Sequence, residues 1–102
     1  MLKRSTAYAR RIRDQALMAY GGPSSPACAC CGEAHREFLA LDHVNGGGLK
    51  HRKAVGGSTG KLYRWMRDQG YPPGFRVLCH NCNMAIGLFG VCPHERGRDE
   101  SR

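Results

Sequence analysis

The chain predicts a small α+β domain whose core is too thin to hold it together unaided. Three observations carry that prediction. Leu, Ile, Val and Phe number 17 among 102 residues, against a net charge of +8, a balance that by itself reads as disorder. The spacing of apolar residues switches between helical and alternating along the chain. Four cysteines stand in two C-x-x-C pairs, Cys28/Cys31 and Cys79/Cys82, and each pair can grip one tetrahedral metal through two thiolates on a tight turn. A structural zinc is the staple that a core of this size requires.

The elements follow in order. Residues 3–20 read as a helix, with Tyr8, Ile12, Ala16 and Tyr20 at i+4 spacing. Its arginines fall mostly on other faces, free for phosphate, and Gly21-Gly22-Pro23 ends it. Residues 24–34 form the first metal turn, and Phe38 to His43 alternate as a strand. Gly46-Gly47-Gly48 breaks regular structure, and the six glycines of residues 44–60 predict a long loop of the kind that often carries binding residues. Lys61 to Gln69 predict a short helix with Leu62, Trp65 and Met66 on one side. Tyr71 to Gly74 make a turn, Phe75 to Leu78 a second strand, and Asn83 to Phe89 a helix offering Met84, Ile86 and Leu88 for packing. The organisation is therefore a basic N-terminal helix (1–23), a zinc-bound domain (24–92) and a tail (93–102). A turn, two strands, a second turn and a helix that unite two C-x-x-C pairs make a treble-clef-like zinc module. Four thiolates close the coordination, so this zinc holds the fold and catalyses nothing.

Composition narrows the function classes. The first twenty residues carry Lys3, Arg4, Arg10, Arg11 and Arg13 with no apolar segment after them, which is not the pattern of a secretory leader. No window approaches a membrane span. Zinc is preferred over three disulfides, and a cytoplasmic location is expected. A pI near 9.6 favours a polyanionic partner, nucleic acid first. Residues 50–67 hold Lys50, Arg52, Lys53, Lys61, Arg64 and Arg67 with no acid among them. Cys30 and Cys92 read as small buried apolar residues; the alternative is a second metal site in which Cys92 and His94 join Cys30 or His35. Gly56 to Lys61 imitate a phosphate-cradling loop, but the spacing is one residue short and Leu62 stands where a hydroxyl should bind magnesium. Nucleotide hydrolysis is rejected.

The remaining signal is chemical. Asp42-His43 ends the first strand and Asn83 follows the fourth cysteine: an acid, an imidazole and an amide oxygen on a metal-stapled scaffold. Neighbouring strand residues point to opposite faces, so Asp42 and His43 share one site if the strand kinks at the glycines. The string from Cys28 to Gly87 resembles an HNH endonuclease of the His-Me finger, or ββα-metal, superfamily, in its zinc-containing phage and bacterial form. "LCHNCNMAIG" is similar to the corresponding segment of junction resolvases of the endonuclease VII type. The resemblance covers about 60 residues and implies a ββα-metal finger. It further implies that Asp42 and Asn83 hold one divalent cation, Mg2+ or Mn2+, that His43 is the general base, and that in-line attack leaves a 5′-phosphate and a 3′-hydroxyl. Two positions depart from the pattern. Asn83 stands where many relatives have His, and the middle Asn that orients the catalytic His is absent from Pro73-Gly74-Phe75, leaving that role to Asn45 or a backbone carbonyl.

The expected function is therefore a metal-dependent endonuclease acting on double-stranded DNA, as monomer or dimer and away from membranes. His51, Arg52, Lys53 and Arg64 are the expected nucleic-acid contacts, and His51 is either a further site residue or an exposed loop histidine. His80, inside the second metal turn, is expected to meet solvent or phosphate. The rivals are a zinc module that binds DNA without cutting it and a structure-specific, junction-resolving nuclease.

Overall fold

The computed structural model describes residues 4–95. Helix α1 (Arg4–Gly21) leads through the first cysteine turn and a short 3-10 turn (Arg36–Phe38) into strand β1 (Leu39–His43). Helices α2 (Gly48–Ala54) and α3 (Thr59–Asp68) follow, then strand β2 (Phe75–Cys79) and helix α4 (His80–Phe89). The two strands form one antiparallel sheet, in register from Leu39 opposite Cys79 to His43 opposite Phe75. The architecture is a small α+β fold in which a 31-residue helical insertion, residues 44–74, separates two paired strands. Among the described residues no helix is long and apolar enough to cross a membrane. Residues 96–102, the greater part of the expected tail, lie outside the described residues.

Two buried clusters divide the work that a single core normally does. Leu17, Leu39, Val77 and Leu78 pack with Cys28, Cys79, Cys82 and Cys92, so one cluster is built directly on sulfur. Ile12 and Ala16 pack with Leu62, Tyr63 and Met66 of α3. Tyr20 and Leu41 touch both clusters. The expected stripe on α1 is therefore only part of its buried surface. Tyr8 is 41% exposed, whereas Leu17, off that stripe, is fully buried. The reason is that α1 is wedged between α3 and the sheet and buries two adjacent faces. Its C-terminus comes so close to β2 that a Cβ on Gly21 would lie 2.7 Å from Val77 Cγ2, so only glycine fits there. Tyr20 completes the joint, donating to the Pro72 carbonyl at 2.6 Å and meeting Tyr71 and Phe75 edge-on.

Three expectations need correction. Residues 44–60 do not form one long loop, since α2 occupies the middle of them. This helix buries no side chain, and Leu49 is 58% exposed, so it carries no apolar periodicity from which to read it. Helix α3 begins two residues earlier than expected because Ser58 caps it, its Oγ accepting from Lys61 N at 3.2 Å. The glycine-rich imitation of a phosphate loop is thus a helix cap. Helix α4 likewise starts at His80, capped by the Cys79 sulfur, and of its expected packing residues Met84 and Leu88 are 65% and 69% exposed, leaving Ile86 against the core.

Because Met66 is fully buried among α1 and α3 and away from the sulfurs, Met66→Ala should lower unfolding free energy by about 2–5 kcal/mol. Zinc content should stay unchanged. Denaturant titration with metal analysis checks both, and an equal loss of metal would show the two clusters to be one unit.

Candidate functional site

The first cysteine turn is built by backbone. Cys28 N donates to Glu33 O at 2.8 Å, Gly32 N to Cys28 O at 2.9 Å, and Ala29 N to Val77 O at 2.9 Å, which pins the turn to β2. The second turn is the junction between β2 and α4, where Cys82 N points at Cys79 Sγ at 3.5 Å. These two turns bring the sulfurs of Cys28, Cys31, Cys79 and Cys82 within 4.8 Å of one another. Cys31 and Cys79 stand 3.7 Å apart, close to the edge of about 3.8 Å that tetrahedral zinc–thiolate bonds of about 2.3 Å require. The donor set fits a structural zinc. Burial opposes ionisation of Cys28, but backbone amides of Cys31, Cys79 and Cys30 outweigh it and bring its pKa down to about 6. Burial and the neighbouring sulfurs push Cys82 up. The cluster therefore carries four thiolates only when a cation shares their charge.

Cys30 and Cys92 are more than small apolar residues. Cys92 is buried, but its sulfur and that of Cys30 converge with Cys82 and His94 into a second group whose donor atoms also lie within 4.8 Å of one another. His94 Nδ1 is 3.1 Å from Cys92 Sγ, 3.5 Å from Cys82 Sγ and 3.8 Å from Cys30 Sγ. His94, assigned by the sequence to the tail, is folded onto the sulfurs. His35, the alternative partner, is turned away to Glu33 Oε2 at 2.7 Å. The C-x-H spacing of Cys92 and His94 was the signal for this group.

His43 is the last residue of β1 and is half-buried. Its Nε2 meets Nδ1 of His51 at 2.9 Å, its ring stands edge-on to Phe75 at 4.8 Å, and His51 in turn stands edge-on to Trp65 at 4.3 Å. The group facing the His43 ring is thus His51 on α2; Asn45 is exposed. His51 is accordingly no exposed loop residue, and it was missed as an orienting group because α2 has no sequence signature. Burial, and then the neighbouring His51, lower the His43 pKa, while Asp42 works in the opposite direction. On the other side of the ring, a Cβ on Gly48 would lie 2.9 Å from Nδ1, so a side chain there would press against that nitrogen.

Asp42 and Asn83 are placed differently. The strand does not kink at its end: pairing continues to His43 opposite Phe75. Asp42 and His43 therefore leave opposite faces of β1. Asp42 faces its cross-strand partner Arg76, whose Nε donates to Oδ2 at 3.0 Å. Asn83 is half-buried on α4, in a shallow groove with His80, Met84 and Leu88.

Of the expected nucleic-acid contacts, His51 and Arg64 line one groove, and Arg52 and Lys53 lie outside it. A groove of about 800 Å3 between α1 and the insertion is lined by His51, Lys61, Arg64, Trp65 and Arg67. Arg64 and Lys53 are exposed and Arg52 half-buried. Arg13 is not free for phosphate, because it donates to the carbonyls of Arg36 and Leu39. His80 is exposed to solvent.

No family model, curated protein or solved structure matches the chain.

Two outcomes follow from this geometry. Removing zinc by chelation should abolish the cooperative unfolding transition, because eight of the thirteen buried core residues, four cysteines among them, form the cluster built on sulfur; a chelated protein that melts unchanged would contradict a structural zinc. A ring-proton NMR titration of the zinc-loaded protein without other divalent ions should place the His43 pKa below the ordinary imidazole value of about 6.5. His51→Ala should raise it, since the substitution removes both shielding from water and the electrostatic opposition of the neighbouring histidine. A value at or above the ordinary one in the unsubstituted protein would contradict the burial of the ring.

Proposed function

We propose that the chain is a metal-dependent DNA endonuclease built as a ββα-metal finger, its treble-clef-like zinc module holding the strand end that carries the base. One observation carries this reading: a half-buried, pKa-lowered His43 held by His51 at 2.9 Å, next in sequence to Asp42. An imidazole kept neutral is ready to accept a proton at neutral pH. In the tautomer that donates from His43 Nε2 to His51 Nδ1, the lone pair sits on His43 Nδ1, where the missing side chain of Gly48 leaves room for water. His51 then orients the base, the task that the resemblance gives to an absent Asn. Water attacks phosphorus as its proton passes to His43 Nδ1, the bond to the 3′-oxygen breaks, and that oxygen takes a proton from solvent, giving a 5′-phosphate and a 3′-hydroxyl.

Asp42 and Asn83 would hold Mg2+ or Mn2+. They suit a hard cation, which prefers oxygen donors and keeps several waters. Arg76 engages Oδ2 of Asp42, so Oδ1 is the oxygen that would serve. When bound, that cation supplies charge stabilisation to the transition state and the departing oxygen. The basic groove beside His51 supplies phosphate contacts from Lys61 and Arg64, with Arg52 and Lys53 on the adjoining helix. The Asp42–Arg76 pair and the departure of Asp42 and His43 from opposite faces of β1 also support a second reading, a zinc-stapled module that binds DNA without cutting it, because a carboxylate paired with a guanidinium is a weaker cation ligand and one turned away from the base serves it poorly. A junction-resolving nuclease would use the same chemistry on a branched substrate.

Purified protein with Mg2+ or Mn2+ should nick plasmid DNA. His43→Ala should reduce cutting at least about 100-fold while zinc content and DNA binding persist. Binding without cleavage under every divalent cation would replace the nuclease with the binding module.

A further inference from the structure

The two cysteine groups are not independent, because both claim Cys82. Cys28, Cys31, Cys79 and Cys82 make one set of four donors, and Cys30, Cys82, Cys92 and His94 make the other. If each set takes a metal separately, one of them is left with three protein ligands. If a single metal chooses between them, three converging donors stay idle in a region where Cys82 is fully buried and Cys92 is 1% exposed. A single metal on the four paired cysteines leaves His94 unexplained. Its side chain is exposed overall, yet its Nδ1 faces inward at three sulfurs, at 3.1, 3.5 and 3.8 Å.

We propose that the chain binds two zinc ions in one thiolate cluster, bridged by Cys82 Sγ. Two tetrahedral cations need eight coordination positions, and seven donors supply them when one sulfur serves both. The seven are the six cysteines of the chain and His94. The spacings agree. Zinc bonds of about 2.3 Å to sulfur and about 2.0–2.1 Å to nitrogen set tetrahedral edges of about 3.8 Å between sulfurs and about 3.5 Å between sulfur and nitrogen. The Cys31–Cys79 and Cys82–His94 separations are 3.7 and 3.5 Å. Bridging also explains why this sulfur is the one buried completely and surrounded by the others, since two cations share its charge. Soft thiolates select zinc over the hard cation proposed for Asp42 and Asn83. The inference does not rest on the nuclease reading; it concerns what holds residues 28–94 together.

Purified full-length protein saturated with Zn2+ should carry two ions per chain by native mass spectrometry and elemental analysis. His94→Ala, a substitution at an exposed position, should drop this to one without unfolding the protein, as circular dichroism would show. With 113Cd2+ in place of zinc, two NMR resonances coupled to each other through the shared sulfur are expected. One ion per chain in the unsubstituted protein, with the count unaffected by His94→Ala, would overturn the proposal. Two uncoupled cadmium signals would overturn the bridge.

Discussion

Everything beyond α1 is arranged around the meeting of two turns that lie 48 residues apart, Cys31 against Cys79. Cys79 does three jobs at that point. It closes β2, caps α4, and faces Leu39 across the sheet. Fixing it therefore fixes the register of the strand pair, and a one-residue slip would turn every side chain of β1 to the wrong face. A two-stranded sheet in water is marginal by itself, and only the sulfur-centred cluster and the helices covering it keep this one in place. The backbone position of His43, at the far end of the same five-residue ladder, is set by that register, and His51 and Phe75 then hold its ring.

The insertion between the strands supplies what the sheet lacks. It brings His51 to His43, sets Trp65 edge-on against His51, and gathers Lys61 and Arg64 at the edge of the same groove. The same segment concentrates positive charge, six Lys and Arg against Asp68 alone. Such a segment repels itself, and a polyanion laid in the groove would relieve the repulsion while approaching the histidine pair. The partner of His43 and the basic groove are thus contributed by one stretch of chain, with the sheet serving as its frame.

How far the fold could be read follows from which forces leave a trace in sequence. The cysteine pairs and the places of β1 and β2 were legible, because metal geometry imposes a fixed spacing and each strand abuts a cysteine turn or a glycine break. Helix α1 was legible but its full buried face was not: Leu17 packs on a surface that exists only once the sheet has formed. Helix α2 left no trace, since it buries nothing and is bounded by glycines on both sides. With α2 hidden, the role of His51 was hidden too. The separation of Asp42 from His43 onto opposite faces was half legible. Strand geometry predicts it, but the glycines after His43 suggested a kink that the strand pairing excludes.

The long reach of the sulfur cluster also has a meaning in time. At roughly 5–20 residues per second of synthesis, Cys28, Cys30 and Cys31 are made seconds before Cys79, and longer still before His94. Throughout that interval the first turn has no partner, and its thiols are open to oxidants and to whichever metal reaches them first. Pairing between β1 and β2 cannot begin until residue 79 has left the ribosome. The surroundings of the histidine pair, which Phe75 of β2 completes, are thus assembled only after β2 has emerged.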